Sequence, residues 1–462
     1  MKYIDQNKIN NLLVSEAKVD TARLNSILSK AKALKRLNLE ESAALLSVSD
    51  PGYIQRIYSA ASFVKDKIYG RRVVLFAPLY ISNLCGNSCL YCAFKSDNLS
   101  IKRKALTLPE ITSQTELLLK HGQKRILMVC GEAAPEGKEN VDYYVEAVQS
   151  IYSAEVGKNK IKRVNVNCAP LSREDFKKLK KSGIGTYQLF QETYHQETYL
   201  FMHPKGPKSD PDNRLDAIDR AFSAGIDDIG IGVLYGLYDY RFETLGLLSH
   251  VEHMERSFKV GPHTISVPRI EPAEGVGLSL NPPYKLSDEE FKKVVAILRL
   301  SVPYTGIIMS TRESPQMRDL LLNLGVSQIS AASRTSPGGY SDLEKEDATG
   351  QFSLSDHRSL DEIVKTLIGH DYIPSFCAAC YRKERTGEAF MQLAKPGTIK
   401  GKCSMNALIT LKEYLDDFAS REVKALGYKL IERYFKDLDK KDQERLKLFF
   451  SHVDSGVRDE YI

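Results

Sequence analysis

Residues 73–94, VVLFAPLYISNLCGNSCLYCAF, run a short apolar segment straight into a loop that carries three cysteines. The apolar half reads as a buried strand. Seven further runs of the same texture follow: RILMVCGE (125–132), RVNVNCAP (163–170), TYQLFQET (186–193), DIGIGVLYG (228–236), HTISVPRIEP (263–272), GIIMSTRE (306–313) and QISAASRTS (328–336). Between them lie amphipathic helical stretches. SREDFKKLKKSG has Ser172 placed to cap its N-terminus, and LSDEEFKKVVAILRLSV has Ser287 and Glu290 spaced as a capping box. Eight strands alternating with eight helices require parallel pairing with right-handed crossovers, and eight such units close into a (β/α)8 barrel of the TIM type. A doubly wound open sheet is the alternative. In a barrel the chemistry belongs at the C-terminal ends of the strands, where the cysteine loop of the opening segment falls.

Outward from the barrel, the first 72 residues read as a helical segment, with apolar residues at helical spacing in NKINNLLVSEA, RLNSILSKAKALKRL and YIQRIYSAASFVKDKIYG and no recognisable chemistry. Strand signals stop after residue 340. The expected division is therefore 1–72 helical, 73–340 barrel and 341–462 a mainly helical C-terminal domain, interrupted by AKPGTIKGKC (394–403). The 462 residues suffice for one enzyme-sized barrel with appendages, and 42% hydrophobic with 27% charged residues is ordinary globular composition. With 65 Lys and Arg against 59 Asp and Glu the formal charge is +6, too slight to imply nucleic-acid binding. The Lys-rich stretches 177–181 and 436–447 read as solvated helix faces. No apolar run reaches the roughly 20 residues of a membrane span, and the N-terminus lacks a signal peptide's order, so no membrane partner and a cytoplasmic location are expected. Eight cysteines in such a chain argue for metal binding where they cluster, because the cytosol keeps thiols reduced.

Cys85, Cys89 and Cys92 are spaced C-x3-C-x2-C. Three thiolates in eight residues can hold three irons of a cubane and leave the fourth open. A zinc site is the alternative, but structural zinc needs a fourth ligand. This motif, followed by Phe94 and placed after the first strand of a barrel, resembles the radical S-adenosylmethionine (radical SAM) superfamily. The resemblance implies a 4Fe-4S cluster whose open iron chelates SAM and delivers an electron that releases a 5'-deoxyadenosyl radical. It further implies that Gly131 and Glu132, ending the second strand, hold the methionine amino group, that Glu192 meets the SAM amino group or ribose, and that Arg214 faces the methionine carboxylate. On the same resemblance Tyr91 is placed to cover the cluster or the adenine edge, and the glycines of GIGVLYG (230–236) would let the strand backbone approach adenine. For Glu192 a surface salt bridge, and for Arg214 a helix-surface cation, remain open from the residues alone.

A second trio, Cys377, Cys380 and Cys403, is spaced C-x2-C-x22-C, again one ligand short of a closed site; a zinc ribbon is the alternative here too. Cys130 and Cys168 sit in apolar strands and read as buried thiols. The two trios at either end of a barrel, with YQLFQETYH (187–195), GPHTISVPRIEPA (261–273) and SRTSPGGY (333–340), resemble the tyrosine-lyase maturases of iron-iron hydrogenase. The thiamine-pathway 2-iminoacetate synthase is the nearest alternative, since it shares the barrel and the first cluster but lacks the cysteine-bearing extension. A non-catalytic iron-sulfur carrier is the alternative of another class, and it has no use for an eight-stranded cavity. The maturase resemblance implies cleavage of L-tyrosine to p-cresol and dehydroglycine, and conversion of the latter to carbon monoxide and cyanide at a second 4Fe-4S cluster bearing an additional iron held by His263. It implies as partners an electron donor such as ferredoxin or flavodoxin, and other hydrogenase maturation proteins. Arg312 and Arg334, near strand ends, are candidate clamps for a substrate carboxylate, with Ser310 supplying a further hydrogen bond; SAM binding or a structural salt bridge is the alternative for either arginine.

Overall fold

The computed structural model describes residues 1–341 and 350–462. Eight strands form the barrel: β1 (Arg72–Ser82), β2 (Arg125–Cys130), β3 (Arg163–Asn167), β4 (Tyr187–Glu192), β5 (Ile229–Val233), β6 (Thr264–Ser266), β7 (Gly306–Met309) and β8 (Val326–Ser330). Each pairs in parallel with its neighbour in chain order, and β8 pairs with β1 at Val74↔Gln328 through Phe76↔Ser330 to close the ring. An open doubly wound sheet is thereby excluded. The amphipathic helices, among them Leu108–Lys120, Arg173–Lys181, Pro211–Ser223, Tyr240–Phe258 and Asp288–Ser301, shield the outer face. Ser172 caps the Arg173 helix by accepting from Asp175 N at 3.1 Å, and Ser287 with Glu290 forms the expected capping box.

The sixth strand is three residues long, not ten. Pro268 and Pro272 have no backbone N–H to give a ladder, and beyond Ser266 the parallel pairing shrinks to an isolated bridge, Tyr235↔Arg269. The expectation of no strand after residue 340 also fails. A ninth strand, β9 (Ile373–Ser375), pairs in parallel with the first residues of β1, Arg72↔Ile373 to Val74↔Ser375. β1 is eleven residues long and overhangs β2, whose pairing with it begins at Ala77↔Ile126, so the bare edge below that point is covered by β9.

The N-terminal helices lie on the barrel's outer ring. Pro51–Ile68 packs against Asp288–Ser301, Ser42 Oγ meets Ser301 Oγ at 2.9 Å, and buried Lys293 donates to the Leu46 and Val48 carbonyls, each at 2.6 Å, where helix Leu39–Ser47 ends. At the other end of the chain, helix Ile399–Asp417 packs on β9, and Lys124, one residue before β2, meets both Glu413 and Asp459 at 3.3 Å. Among the described residues no helix is long and apolar enough to cross a membrane.

Alternation along β1 turns Val74, Phe76, Pro78 and Tyr80 alike into the barrel interior, and height along the strand decides which mouth each one serves. On β1, Val74 lines a cavity at the N-terminal (lower) mouth, whereas Phe76, Pro78 and Tyr80 line one at the C-terminal (upper) mouth.

Candidate functional site

The upper cavity has about 1050 Å³ of open space, part of it solvent at the mouth, and is bordered by Tyr91, Cys92, Glu192, Arg214, Ser310 and Arg312. The cysteine loop is held in place on both sides. Arg103 donates to the Asn83 and Phe94 carbonyls at 2.9 Å each, Ser88 N to Lys205 O at 3.2 Å, and Leu90 N to Met202 O at 3.0 Å. Burial pushes the Cys89 thiol up to about 12 and the Cys92 thiol up to about 11. A cationic metal group is what would draw those protons off. Asn87 Nδ2 lies 3.6 Å from Cys85 Sγ, and Gln351 Nε2 3.6 Å from Cys92 Sγ.

Next to the loop, two largely buried carboxylates alternate with two buried cations. Glu132 accepts from Arg214 Nη1 and Asn87 Nδ2, both at 2.8 Å, and Glu192 accepts from Lys208 Nζ at 2.6 Å with Arg214 Nη2 at 3.8 Å. Burial opposes charge on Glu132, yet the Arg214 guanidinium and the Lys208 ammonium hold its carboxyl below the ordinary range. Glu192 sits at φ 72°, a left-handed conformation costly for a non-glycine residue, where the pairing of β4 with β5 slips. Neither Glu192 nor Arg214 is the surface charge that their positions in sequence left open. Tyr91 is fixed by its hydroxyl, which donates to His203 Nε2 at 2.7 Å, because His203 Nδ1 is occupied by the Tyr199 carbonyl at 2.7 Å.

Gly131 has no room for a side chain: a Cβ there would lie 2.0 Å from the carbonyl oxygen of Leu84, in the cysteine loop. Across the cavity, the Arg312 guanidinium carbon lies 3.4 Å from the centroid of the Phe352 ring, Nη1 donates to Arg269 O at 3.3 Å, and Ser310 Oγ accepts from Arg312 N at 3.4 Å. Arg334 follows β8 but is not part of the lining; its Nη1 reaches Ser333 O at 3.4 Å. Three buried wall atoms, Gln188 Oε1, Ser330 Oγ and Ser333 Oγ, have no hydrogen-bond partner among the described residues, so the wall offers polar groups to a ligand. The glycines of β5 make room for their neighbours. A Cβ on Gly230 would meet Gln188 Cγ and Thr264 Oγ1 at 2.6 Å, and one on Gly232 would meet Phe190 Cδ1 at 2.8 Å, so their lack of a side chain makes room for neighbouring strands.

The lower cavity gathers Cys377, Cys380 and Cys403 with Arg72, Arg125, Arg163 and His263. Cys377 follows β9 by two residues, its carbonyl accepts from Arg125 Nη1 at 2.7 Å, and Cys403 stands on helix Ile399–Asp417. The Cys403 thiol is pulled down by a hydrogen bond from Cys380, against burial, with help from the Arg72 guanidinium. Of the three guanidiniums at this cavity, Arg163 is paired with the buried carboxylate of Asp228 at 2.6 Å. Burial and repulsion from Arg163 bring Arg125 down to about 9. The His263 ring packs on Phe390 at 4.2 Å and lies 3.5 Å from Asp228; burial lowers its pKa to about 4, so the imidazole is neutral. Arg72 Nε, Arg125 Nε and His263 Nδ1 have no hydrogen-bond partner among the described residues. An excess of buried positive charge with unsatisfied donors around three thiols suits an anionic, thiolate-ligated iron-sulfur cluster, with a neutral imidazole free to ligate. Among the described residues no three His, Cys, Asp or Glu side chains are gathered onto one point, whereas a cubane takes each thiolate on a separate iron.

Sequence reasoning overlooked Asn87, Lys208, Gln351 and the three lower arginines. The arginines had a signal: RRVVLF, KRILMV and KRVNVN each begin a barrel strand with a basic pair, and Arg125 and Arg163 are register partners. Asn87, inside the cysteine motif, accepts from Lys208 N at 2.8 Å and so ties the loop to the cation.

Residues 79–248 match the radical SAM superfamily, and residues 266–373 match the Biotin and Thiamin Synthesis associated domain, which ends four residues before Cys377. The Escherichia coli 2-iminoacetate synthase is 31% identical over 346 residues, 75% of this chain and 88% of that one. A solved structure of HydG, described as a maturase of the FeFe-hydrogenase, is 44% identical with a TM-score of 0.96, covering 100% of both chains. The chain belongs to the HydG family of radical SAM maturases. A second HydG structure, from Carboxydothermus hydrogenoformans, is 40% identical with a TM-score of 0.84 and covers 96% of this chain and 97% of that one. Membership in the HydG family makes this a radical SAM enzyme with a role in hydrogenase maturation, using a 4Fe-4S cluster and SAM and needing a reductant. The upper thiols, with a buried acid-base quartet beside them, fit that cofactor pair.

Proposed function

We propose that the chain is a carbon-carbon lyase that cleaves the Cα–Cβ bond of L-tyrosine to p-cresol and dehydroglycine at the upper cavity. Dehydroglycine is then converted at the lower centre to carbon monoxide and cyanide, carried on iron to the active site of an iron-iron hydrogenase. The observation that carries the reading is the pair of thiol trios, each one ligand short of a closed set, at opposite mouths of one barrel. Bound to Cys85, Cys89 and Cys92, the cluster and SAM supply hydrogen-atom abstraction. The protein's share is placement. Gly131, Glu132 and Glu192 take the SAM ammonium, Arg214 its carboxylate, and Tyr91 the adenine edge. Arg312 and Ser310 take the amino-acid carboxylate, with Arg334 second in line because it stands outside the lining.

At the lower mouth Cys377, Cys380 and Cys403 hold the second 4Fe-4S cluster, Arg72 and Arg125 offset its negative charge, and His263 ligates the additional iron. The residue divisions 1–72, 73–340 and 341–462 then correspond to a helical brace, the radical chemistry and the second centre. A low-potential carrier such as ferredoxin or flavodoxin supplies electrons, and other hydrogenase maturation proteins receive the product.

Anaerobic, iron-reconstituted protein with SAM, dithionite and tyrosine should form p-cresol, and carbon monoxide trapped by haemoglobin. The Cys377→Ala/Cys380→Ala variant should keep p-cresol and lose carbon monoxide. Reconstituted wild type that cleaves SAM yet forms no p-cresol would exclude the lyase reading. The 31% identity to 2-iminoacetate synthase supports a second reading, which p-cresol without carbon monoxide in the wild type would favour.

A further inference from the structure

Residues Gly350–Asp356 cross the upper mouth as a strap whose backbone is fixed by four different parts of the barrel. Gln351 N donates to Thr335 O at 3.1 Å, Ala93 N to Gln351 O at 3.4 Å, and Ser353 N to Pro272 O at 2.8 Å; Ser355 N and Asp356 N both reach Thr311 O, at 3.0 and 3.1 Å. Asp356 closes the strap from within the protein, 1% exposed and paired with Arg318 and Arg358. Two strap side chains enter the site. Phe352 lies under the Arg312 guanidinium, and the Gln351 amide stands between Tyr80 and Cys92.

The chemistry of the neighbours sets the orientation of that amide. A metal-bound thiolate offers only lone pairs, so the –NH2 end must face Cys92 Sγ, 3.6 Å away. The oxygen end then accepts from the Tyr80 hydroxyl, 2.8 Å away. Tyr80 and Gln351 thus form a two-link relay ending in an N–H aimed at sulfur. Asn87 makes a similar contact with Cys85, but from within the loop itself.

We propose that Gln351 is a positioning residue that acts through Cys92 to raise the reduction potential of the upper cluster, with Tyr80 holding the amide in its donating orientation. The inference rests on the reading that Cys85, Cys89 and Cys92 hold that cluster. Reduction adds one electron, spread partly onto the sulfurs, and an N–H dipole directed at a ligand sulfur stabilises the more negative form; hydrogen bonds to sulfur are among the recognised controls of cluster potential. The strap thereby links the ease of reducing the cluster to the segment that also supports Arg312.

The test is a redox titration of the reconstituted holoprotein by electron paramagnetic resonance, following the signal that changes on adding SAM. Gln351→Leu removes the donor at similar size and should leave up to tenfold less reduced cluster at a fixed potential, equivalent to 59 mV for a one-electron couple. Gln351→Glu, which puts a carboxylate beside the sulfur, should lower the potential further. Tyr80→Phe, which frees the amide to turn, should shift it in the same direction by less. Wild-type potentials in Gln351→Leu and Gln351→Glu would overturn the proposal. Should those two fail to load iron, Tyr80→Phe decides, and an unshifted potential there overturns it equally. A wild-type protein with no SAM-responsive cluster would instead overturn the functional reading, and this inference with it.

Discussion

Gly131→Ala tests how the first cysteine loop is seated. The added methyl would lie 2.0 Å from the Leu84 carbonyl oxygen, 2.8 Å from its carbonyl carbon and 3.2 Å from the Asn83 carbonyl carbon. None of these atoms belongs to a flexible side chain, so one backbone must move by roughly 1 Å to relieve the contact, at the upper end of the about 1–3 kcal/mol typical of overpacking. Gly131 N donates to Ser82 O at 2.8 Å, which resists movement of the glycine itself, so the displacement falls on Leu84 and through it on Cys85. The expected result is a melting temperature lower by a few degrees together with loss of iron from the upper centre, while lower-centre iron is retained. Gly369→Ala is the matched control, since a Cβ there meets nothing within 4 Å. Differential scanning calorimetry and iron counting on the separate variants read both effects. Wild-type melting and full iron content in Gly131→Ala would refute the argument that this glycine exists to let the loop approach.

Three further outcomes are expected. Burial raises Glu243 from 4.5 to about 8, so the folded chain keeps a proton there that the unfolded chain releases; stability should fall by a few kcal/mol as pH rises between those values, and calorimetry should find that decline flattened in Glu243→Gln. Arg125→Met removes one of three crowded guanidiniums, so metal-free protein should melt no lower than wild type while iron at the lower centre falls; the reverse pattern would mean that Arg125 is structural. His263→Ala should lose one iron per chain and most carbon monoxide output while still forming p-cresol, and a wild-type high-spin iron signal would show that the imidazole is no ligand.

The barrel was legible because eight apolar runs and their capped helices recur at a regular interval, and the cysteine trios because their spacing is local. The rest depends on contacts between distant parts of the chain. β9 is three residues with a proline at its centre, Ile373–Ser375, too short for any period; it is a strand because β1 overhangs its neighbour. Lys208 lies in a single turn of 3-10 helix, Pro207–Ser209, and resembles any solvated lysine until Glu192 is placed 2.6 Å away. Gln351 is an unremarkable amide in an irregular stretch, and only the closed mouth brings it to Cys92. Glu132 and Arg214, by contrast, were singled out separately from sequence and are 2.8 Å apart in the fold.

The length of β1 has one more consequence. Its eleven residues begin with Arg72 beside the lower thiols and end at Ser82, three residues before Cys85, so one continuous strand acts as a ruler between the two centres. At about 3.3 Å per residue that ruler is roughly 33 Å long, and it does not stretch. Insertions in the connecting loops can reshape either mouth without altering the gap, whereas a single residue inserted within β1 would turn Val74 or Tyr80 out of the interior. The distance a small molecule must cover from one chemistry to the next is therefore among the least adjustable dimensions of this protein.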